Sequence, residues 1–257
     1  SQLSVATEAM SKIGVTGINK SIEREGQDRF SLELPVDQQE FIKELYKVNP
    51  NTVVVLVAGS SMAVNWMDEN VPAILNAWYP GEQGGNAVAE VLFGDYNPGG
   101  RLPLTYYNSL DEIPAFDNYS VKGRTYQYFE GQPLYEFGYG LSYTKFRYKS
   151  KGVNVEQDTV KVSFEVSNTG KYDGDEVAQV YVKYPETGTY MPLKQLHGFK
   201  RVHIKKGKTS KVTIGVPKKD LRYWDEQERK LVTPKGEYTF MVGASSDDIK
   251  FRETVGL

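Results

Sequence analysis

An unbroken apolar run at residues 52–58, Thr-Val-Val-Val-Leu-Val-Ala, constrains the fold more than any other stretch of this chain. A strand that is apolar at every position is typical of a parallel sheet, in which helices cover both faces. Residues 36–48 precede it, and the spacing of Ile42, Leu45 and Val48 places apolar side chains on one face of a helix. The two segments together predict a helix that leads into a buried strand.

Further segments on either side continue this pattern. Residues 13–18 and 71–78 are short apolar stretches that predict strands, and residues 86–93 predict a helix that opens just after Gly84 and Gly85. Strands that alternate with helices form an α/β layer with right-handed crossovers. The first part of the chain is therefore predicted to contain a mostly parallel sheet.

From about residue 146 the pattern changes to short segments in which polar and apolar residues alternate. Turn sequences at residues 168–170 and 234–236 separate them. Several such strands across roughly 110 residues predict a β-sandwich, so the expected fold class is α/β followed by all-β. The clearest alternating segments are residues 160–166, 176–183, 209–216 and 237–242.

The expected domains are an α/β domain at residues 1–106, a connecting segment at 107–145 and the β-sandwich at 146–257. The connecting segment is rich in aromatic residues and is too long for an unstructured linker inside a compact protein. Its aromatic rings could stack on sugar rings or fill a packed domain junction, and the junction is the favoured interpretation. The aromatic residues in and beside this segment are Tyr106, Tyr107, Tyr119, Tyr126, Tyr128, Phe129, Tyr135, Phe137, Tyr139 and Tyr143.

The distribution of charge supports two domains of different character. Residues 1–145 carry 10 lysines and arginines against 18 aspartates and glutamates, whereas residues 146–257 carry 21 against 15. The net charge of −2 gives no general attraction to nucleic acid or to an anionic membrane. The basic second half could bind an anionic partner, but surface lysines on strands are the favoured interpretation.

The chain has no cysteine, so disulfides do not hold its 257 residues together. No apolar run approaches the roughly 20 residues of a membrane span. Residues 1–11 lack the basic start and apolar centre of a signal peptide. Because the sequence starts with Ser1 and a strand is expected within a dozen residues, we expect a fragment or a processed form.

A dense cluster of charged residues occupies positions 20–29, after the first predicted strand. In an open α/β sheet, ligands bind beyond the carboxyl ends of the strands, where this loop is expected to lie. Arg24 or Arg29 could hold Asp28 ionised, while a more enclosed Glu25 could act as a proton donor. On spacing alone, however, a solvated loop with weak ion pairs is the favoured interpretation.

Two other sequence features have weaker claims to a function. Residues 81–86 are glycine-rich and open a helix, which could bind a nucleotide phosphate, but they lack the glycine spacing of known phosphate loops. Close helix–strand packing is the favoured use of these glycines. His197 and His203 lie in the β-rich half, six positions apart and without cysteines, so no zinc site and no Ser/His/Asp arrangement is predicted.

Longer motifs of this chain resemble glycoside hydrolase family 3, and the resemblance covers nearly the whole sequence. They follow one another in the order of that family's C-terminal region, ending in a part similar to its fibronectin type III-like domain. Residues 1–11 match no part that we can place. The motifs are residues 22–29, 77–85, 91–103, 123–126 and 133–144 in the first part, and residues 168–170, 179–182 and 196–199 in the second.

The resemblance implies a partial α/β sandwich domain, shortened before residue 13, followed by an immunoglobulin- or fibronectin III-like β-sandwich, without the family's N-terminal (β/α)8 barrel. It also implies a retaining β-glucosidase or β-xylosidase that hydrolyses terminal non-reducing β-linked sugars. The expected partners are a β-linked oligosaccharide or glycoside and the protein's own barrel domain, with no cofactor and no metal. A periplasmic or secreted location is expected by the same resemblance.

The resemblance also suggests roles for the charged loop. The family's acid/base glutamate matches Glu25, with Glu23 as the runner-up, and its Asp-Arg pair matches Asp28 and Arg29, which would hold the loop. The nucleophilic aspartate belongs to the barrel. Since retention needs two carboxyl groups about 5 Å apart, the chain alone is expected to be inactive. The alternative is a non-catalytic carbohydrate-binding or scaffolding module.

Overall fold

The computed structural model describes residues 12–257, apart from the side chain of Lys12, and divides the chain into two compact units. The first unit extends to Phe93 and includes Tyr106–Ala115 and Gly131–Tyr135. Residues 1–11, which were expected to lack the features of a signal peptide, lie outside the described residues. The second unit consists of Gly94–Thr105, Phe116–Glu130 and Glu136–Leu257.

The first unit is an α/β layer built on three parallel strands, which confirms the predicted fold class for this part. Strand β2 lies between β1 and β3, with Ile13 opposite Val53 and Val54 opposite Ile74. The elements in chain order are β1 (Lys12–Gly17), α1 (Val36–Val48), β2 (Thr52–Val57), α2 (Asn65–Asn70), β3 (Ala73–Asn76) and α3 (Gly84–Phe93).

Close packing of α1 on the sheet fixes the start of this layer. Ile42 and Leu45 are buried, and a Cβ atom at Gly14 would lie 2.6 Å from Cδ1 of Ile42, so the helix approaches β1 where the strand has no side chain. The side chain of Gln38, in the first turn of α1, accepts a hydrogen bond of 2.8 Å from the backbone N–H of Gly17. The helix therefore holds the carboxyl end of β1, from which the charged loop departs.

Two elements of this unit differ from the prediction. Helix α2 is only six residues long, too short for a periodic pattern, and the sequence did not indicate it. The strand predicted over residues 71–78 is limited to β3. Pro72 precedes β3, and the chain turns sharply after it at Trp78, where φ is 56°, in the left-handed region.

The second unit is an antiparallel β-sandwich, as predicted. One sheet has the strand order β12-β11-β6-β7 and the other β4-β5-β8, while β9 and β10 form a separate two-stranded ribbon. The strands are β4 (Phe146–Val155), β5 (Thr159–Asn168), β6 (Gly174–Lys183), β7 (Gln195–Ile204), β8 (Thr209–Pro217), β9 (Tyr223–Asp225), β10 (Lys230–Val232), β11 (Glu237–Gly243) and β12 (Ile249–Gly256).

The inward side chains of both sheets form the core of this unit. Phe164 of β5 and Phe240 of β11 are completely enclosed, together with valines from β5, β6, β8 and β11. A buried ion pair adds to the core: Nη2 of Arg101 lies 3.0 Å from Oε1 of Glu176 on β6, and both side chains are less than 10% exposed. Residues 94–105 are therefore attached to the sandwich.

Part of the aromatic segment packs within each unit. In the second unit, the rings of Tyr126 and Phe137 stack with their centroids 4.2 Å apart. In the first unit, Tyr106 and Tyr135 meet edge to face at 5.9 Å. The segment carries a short 3₁₀ turn at Leu110–Glu112 and a single helical turn, α4 (Thr125–Tyr128). Most of it is thus irregular, and it packs through its aromatic rings.

Within residues 12–257, the helices are all too short or too polar to span a membrane.

Candidate active site

The charged loop after β1 contains a tight turn with Glu25 at its tip. Arg24 and Gln27 exchange two backbone hydrogen bonds of 3.1 and 2.9 Å, which leaves Glu25 and Gly26 as the two central residues. Gly26 has φ of 75°, and a positive φ at the third position of a tight turn favours glycine. The turn therefore exposes Glu25, so the enclosure expected for this residue is wrong within the described unit, and its side chain has no hydrogen-bond or ion-pair partner among the described residues.

Arg29 anchors the same loop to the segment that follows β2. Its Nε lies 2.9 Å from Oε2 of Glu23, and its Nη2 donates to Oγ of Ser60 at 3.0 Å and to the carbonyl of Ser61 at 2.8 Å. The side chain of Arg29 is only 10% exposed. The guanidinium group therefore joins two loops that are more than thirty residues apart in the sequence.

Ser60 completes a three-membered cluster with Arg29 and Glu23. Its hydroxyl donates a hydrogen bond of 2.6 Å to Oε2 of Glu23 and accepts one from Arg29. Ser60 was not among the site residues predicted from the sequence. A signal for it does exist, because loops after neighbouring parallel strands meet at one edge of the sheet and Ser60 follows β2 closely.

The ion pairs of the other charged residues in the loop differ from those predicted. Arg29 pairs with Glu23 and not with Asp28, and Arg24 makes no ion pair with any residue in the described part of the chain. Asp28 is exposed, with no partner in that same part. The expected pairing of Asp28 with Arg24 or Arg29 is therefore wrong for the described residues, because Arg29 binds Glu23 and Arg24 makes no ion pair there.

An aromatic residue borders the cluster at the end of β3. A Cβ atom at Gly59 would lie 2.5 Å from the ring of Tyr79, so this ring rests on the backbone directly before Ser60. Tyr79 is nonetheless 52% exposed. The loops after β1, β2 and β3 thus supply a carboxylate, a hydroxyl and an aromatic ring at one edge of the sheet.

The other sequence candidates lie elsewhere or serve other purposes. His197 and His203 are on β7 of the sandwich, where His203 contacts Asp175. Groups of three or more potential metal ligands are absent from residues 12–257. The packing role expected for the glycine-rich stretch is wrong for Gly81 and Gly85, since a Cβ atom at either position would meet nothing within 4 Å.

Comparison with known proteins identifies the class to which this arrangement belongs. Residues 2–143 match the model of the glycosyl hydrolase family 3 C-terminal domain, and residues 176–246 match a fibronectin type III-like domain. The first match includes most of residues 1–11, which the sequence analysis could not place. The chain belongs to glycoside hydrolase family 3.

Individual relatives agree with this result. The chain is 43% identical to a xylan 1,4-β-xylosidase of Xylanibacter ruminicola, over 87% of this chain and 26% of that protein. It is 38% identical to a β-glucosidase of Kluyveromyces marxianus, over 91% of this chain and 30% of that protein. It therefore spans about a quarter to a third of the length of these two relatives.

Solved structures share the fold of nearly the entire chain. The Kluyveromyces marxianus β-glucosidase, solved in complex with glucose, superposes with a TM-score of 0.91 at 36% identity, covering 99% of this chain and 33% of that one. The Bifidobacterium adolescentis family 3 β-glucosidase gives a TM-score of 0.90 at 32% identity, covering 99% of this chain and 40% of that one.

Proposed function

We propose that this chain is the C-terminal part of a retaining β-glucosidase or β-xylosidase that removes terminal, non-reducing β-linked sugars. The observation that carries this proposal is the 87% of the chain that aligns with a xylan 1,4-β-xylosidase at 43% identity while spanning 26% of it. In this proposal the remaining length includes a barrel domain with the nucleophilic aspartate. A periplasmic or secreted location is part of the same proposal and is tested by fractionating the source cells.

Glu25 is the acid/base residue in this proposal. A general acid must reach the oxygen of a leaving group, and Glu25 stands exposed at the tip of a turn whose base Arg29 anchors. Glu23 is the alternative, and its Oε2 atom is already occupied by Arg29 and Ser60. This difference supports Glu25 as the reacting group and Glu23 and Arg29 as the residues that hold the loop. Asp28 precedes Arg29 directly and matches the aspartate of the family's Asp-Arg pair.

The decisive experiment compares Glu25→Gln with Glu23→Gln in a protein that includes a barrel. The chain can be joined to the N-terminal part of the Kluyveromyces marxianus β-glucosidase for this purpose. Loss of a general acid slows hydrolysis by about 10²–10⁴-fold for poor leaving groups and much less for activated nitrophenyl glycosides. For Glu25→Gln we expect this difference in rate loss between poor and activated leaving groups. The same difference in Glu23→Gln, without it in Glu25→Gln, would assign the role to Glu23.

The isolated 257-residue chain provides the second test. Retaining hydrolysis requires two carboxyl groups about 5 Å apart, and we assign only one of them to this chain. We therefore expect no turnover of nitrophenyl β-glucoside or β-xyloside by the purified chain. Turnover that disappears in Glu25→Gln would show that the chain holds both groups, and the division of the active site would then be wrong.

A further inference from the structure

One cleft of the first unit lies outside the charged loop. It has a volume of about 200 Å³ and lies between the extended residues Glu33 and Leu34, Gln39 and Lys43 of α1, and the start of α2. None of Glu23, Glu25, Asp28 or Arg29 lines it. The proposed catalytic function therefore leaves this cleft without a role.

The size of the cleft limits what it can bind. Pockets for drug-sized ligands measure about 300–1,000 Å³, so a cleft of about 200 Å³ suits one small ring. Its apolar wall includes Leu34, Val64 and Met67, each less than 5% exposed. Because these three side chains are nearly covered, the half-buried ring of Trp66 is the apolar surface that the C–H groups of a ligand can contact.

The polar wall contains groups that have unused hydrogen-bonding capacity. The indole N–H of Trp66 and the carboxylate of Glu33 have no partner among residues 12–257. Gln39 and Asn65 use their amide N–H groups on the carbonyls of Leu34 and Asn108, at 2.7 and 2.9 Å, so their side-chain oxygens remain available as acceptors. Donors and acceptors thus line one cleft together.

Neighbouring side chains hold Trp66 in place. Tyr46 meets the ring of Trp66 edge to face at 5.6 Å, and Nζ of Lys43 lies 5.9 Å from the centre of that ring. Lys43 is itself paired with Glu40 at 2.8 Å. Side chains fixed before binding lose little freedom when a ligand arrives, which favours affinity.

The charges of the cleft favour a neutral ligand. Glu33 contributes a negative charge, and the positive charge of Lys43 is already paired with Glu40, so the described lining of the cleft has no free cation to attract an anion. A neutral pyranose ring has hydroxyl groups that both donate and accept, together with apolar C–H faces. We propose that this cleft is a second binding site, for one neutral pyranose unit such as a xylosyl or glucosyl residue; the choice of sugar rests on the proposed function.

The test uses the isolated chain and its three tryptophan indole signals in ¹H–¹⁵N spectra. On titration with xylose or glucose, we expect the Trp66 signal to shift saturably, with a dissociation constant on the order of 1–10 mM. Trp78 and Trp224, which do not line the cleft, serve as internal references. No saturable shift of Trp66, or an equal shift of all three signals, would overturn the proposal.

Two variants and a control locate the binding. Glu33→Gln should weaken binding about three- to tenfold, since it removes a charged acceptor from an exposed position without changing its size. Trp66→Phe keeps an aromatic ring but loses the indole N–H, and should weaken saturation-transfer signals from the sugar. Glu44→Gln lies on the exposed face of α1 and should bind as the unchanged chain does. Equal effects of Glu33→Gln and Glu44→Gln would contradict the assignment.

The catalytic role of Glu25 and sugar binding in the cleft can be disproved independently of each other. If the hybrid enzyme loses acid catalysis in Glu25→Gln while the isolated chain binds no sugar at Trp66, only the cleft proposal is wrong. If Trp66 shifts saturably while Glu25→Gln remains fully active, the cleft stands and only the catalytic assignment is wrong.

Discussion

The two units bury their apolar side chains to different degrees. In the sandwich, Phe164 and Phe240 are 1% and 0% exposed, because two sheets from the same unit face each other. In the first unit, the outer strand β1 leaves Ile13 and Val15 50% and 63% exposed. The sandwich thus closes its core with its own strands, whereas the three-stranded sheet has apolar side chains that the described residues do not cover.

This difference matters for function because the candidate site belongs to the less enclosed unit. Regions with fewer buried apolar contacts open more easily, and binding loops are commonly drawn from them. The Glu23–Arg29–Ser60 cluster compensates locally, since it joins two loops through charge-assisted hydrogen bonds. The site therefore depends on a few polar contacts, while the sandwich depends on packing.

The largest expected effect compares core packing in the two units. Phe164→Ala removes a fully enclosed ring and should lower the free energy of unfolding by about 3–5 kcal/mol. Val15→Ala removes methyl groups that are mostly in water and should change it by about 0.5 kcal/mol or less. Urea unfolding, with hydrogen exchange to assign each transition to its unit, measures both. Equal losses of unfolding free energy in Phe164→Ala and Val15→Ala would contradict the difference in burial between the two units.

The next effect compares two arginine–glutamate pairs. Arg101→Met leaves the carboxylate of Glu176, whose side chain is 4% exposed, buried without a counter-charge, and should cost about 3 kcal/mol. Arg29→Met leaves Glu23 21% exposed and still bonded to Ser60, so about 1 kcal/mol is expected. The same denaturation experiment measures both variants. A larger loss for Arg29→Met would mean that the loop cluster stabilises its unit more than burial suggests.

Local sequence patterns predicted those elements whose burial follows a simple period. The run at β2 is buried at four of its six positions, and the alternation in β5 matches side chains that point in and out. Strand β12 alternates too, and a count of alternating segments would have found it. Strand β7 carries Gly198 next to a register shift against β6, which interrupts the pattern. Its assignment needs the neighbouring strand.

Only part of the candidate site could be predicted from the sequence. The turn around Gly26 and the density of charge could be read locally, because both lie within ten residues. The pairing of Arg29 with Glu23 could not be predicted locally, because it depends on Ser60, which lies 37 residues beyond Glu23. Pairing between charged side chains is settled by tertiary geometry, and spacing along the chain does not encode it.

A pair of glycine substitutions tests whether close packing at the sheet edge positions Tyr79. Gly59→Ala places a methyl group 2.5 Å from the Tyr79 ring, so the ring must move and about 1 kcal/mol of stability should be lost. Gly85→Ala lies in the first turn of α3 with nothing within 4 Å, and should stabilise the first unit by about 0.5–1 kcal/mol. Thermal denaturation distinguishes the signs. A stabilising Gly59→Ala would show that Tyr79 does not rest there in solution.

The smallest effect concerns pH, and it should appear in the sandwich because both histidines lie there. Burial lowers the pKa of His197, against a smaller opposing effect of the charge on Asp220, and the hydroxyl of Tyr184 lies 2.8 Å from its Nε2 atom. Below about pH 6.5 the unfolded chain binds a proton that the folded chain does not. The contribution of neutral His197 is therefore complete above that pH and is lost as the pH falls toward the lowered pKa.

The matched variants are His197→Gln and His203→Gln, of which the second removes a side chain that is 59% exposed. Between pH 7.5 and 5.5, the unchanged chain should lose sandwich stability, with an upper limit of about 1.4 kcal/mol per pH unit for one proton. His197→Gln should abolish most of this slope, while His203→Gln should preserve it. If His203→Gln removed the slope while His197→Gln preserved it, the burial of His197 in the sandwich would not be its cause.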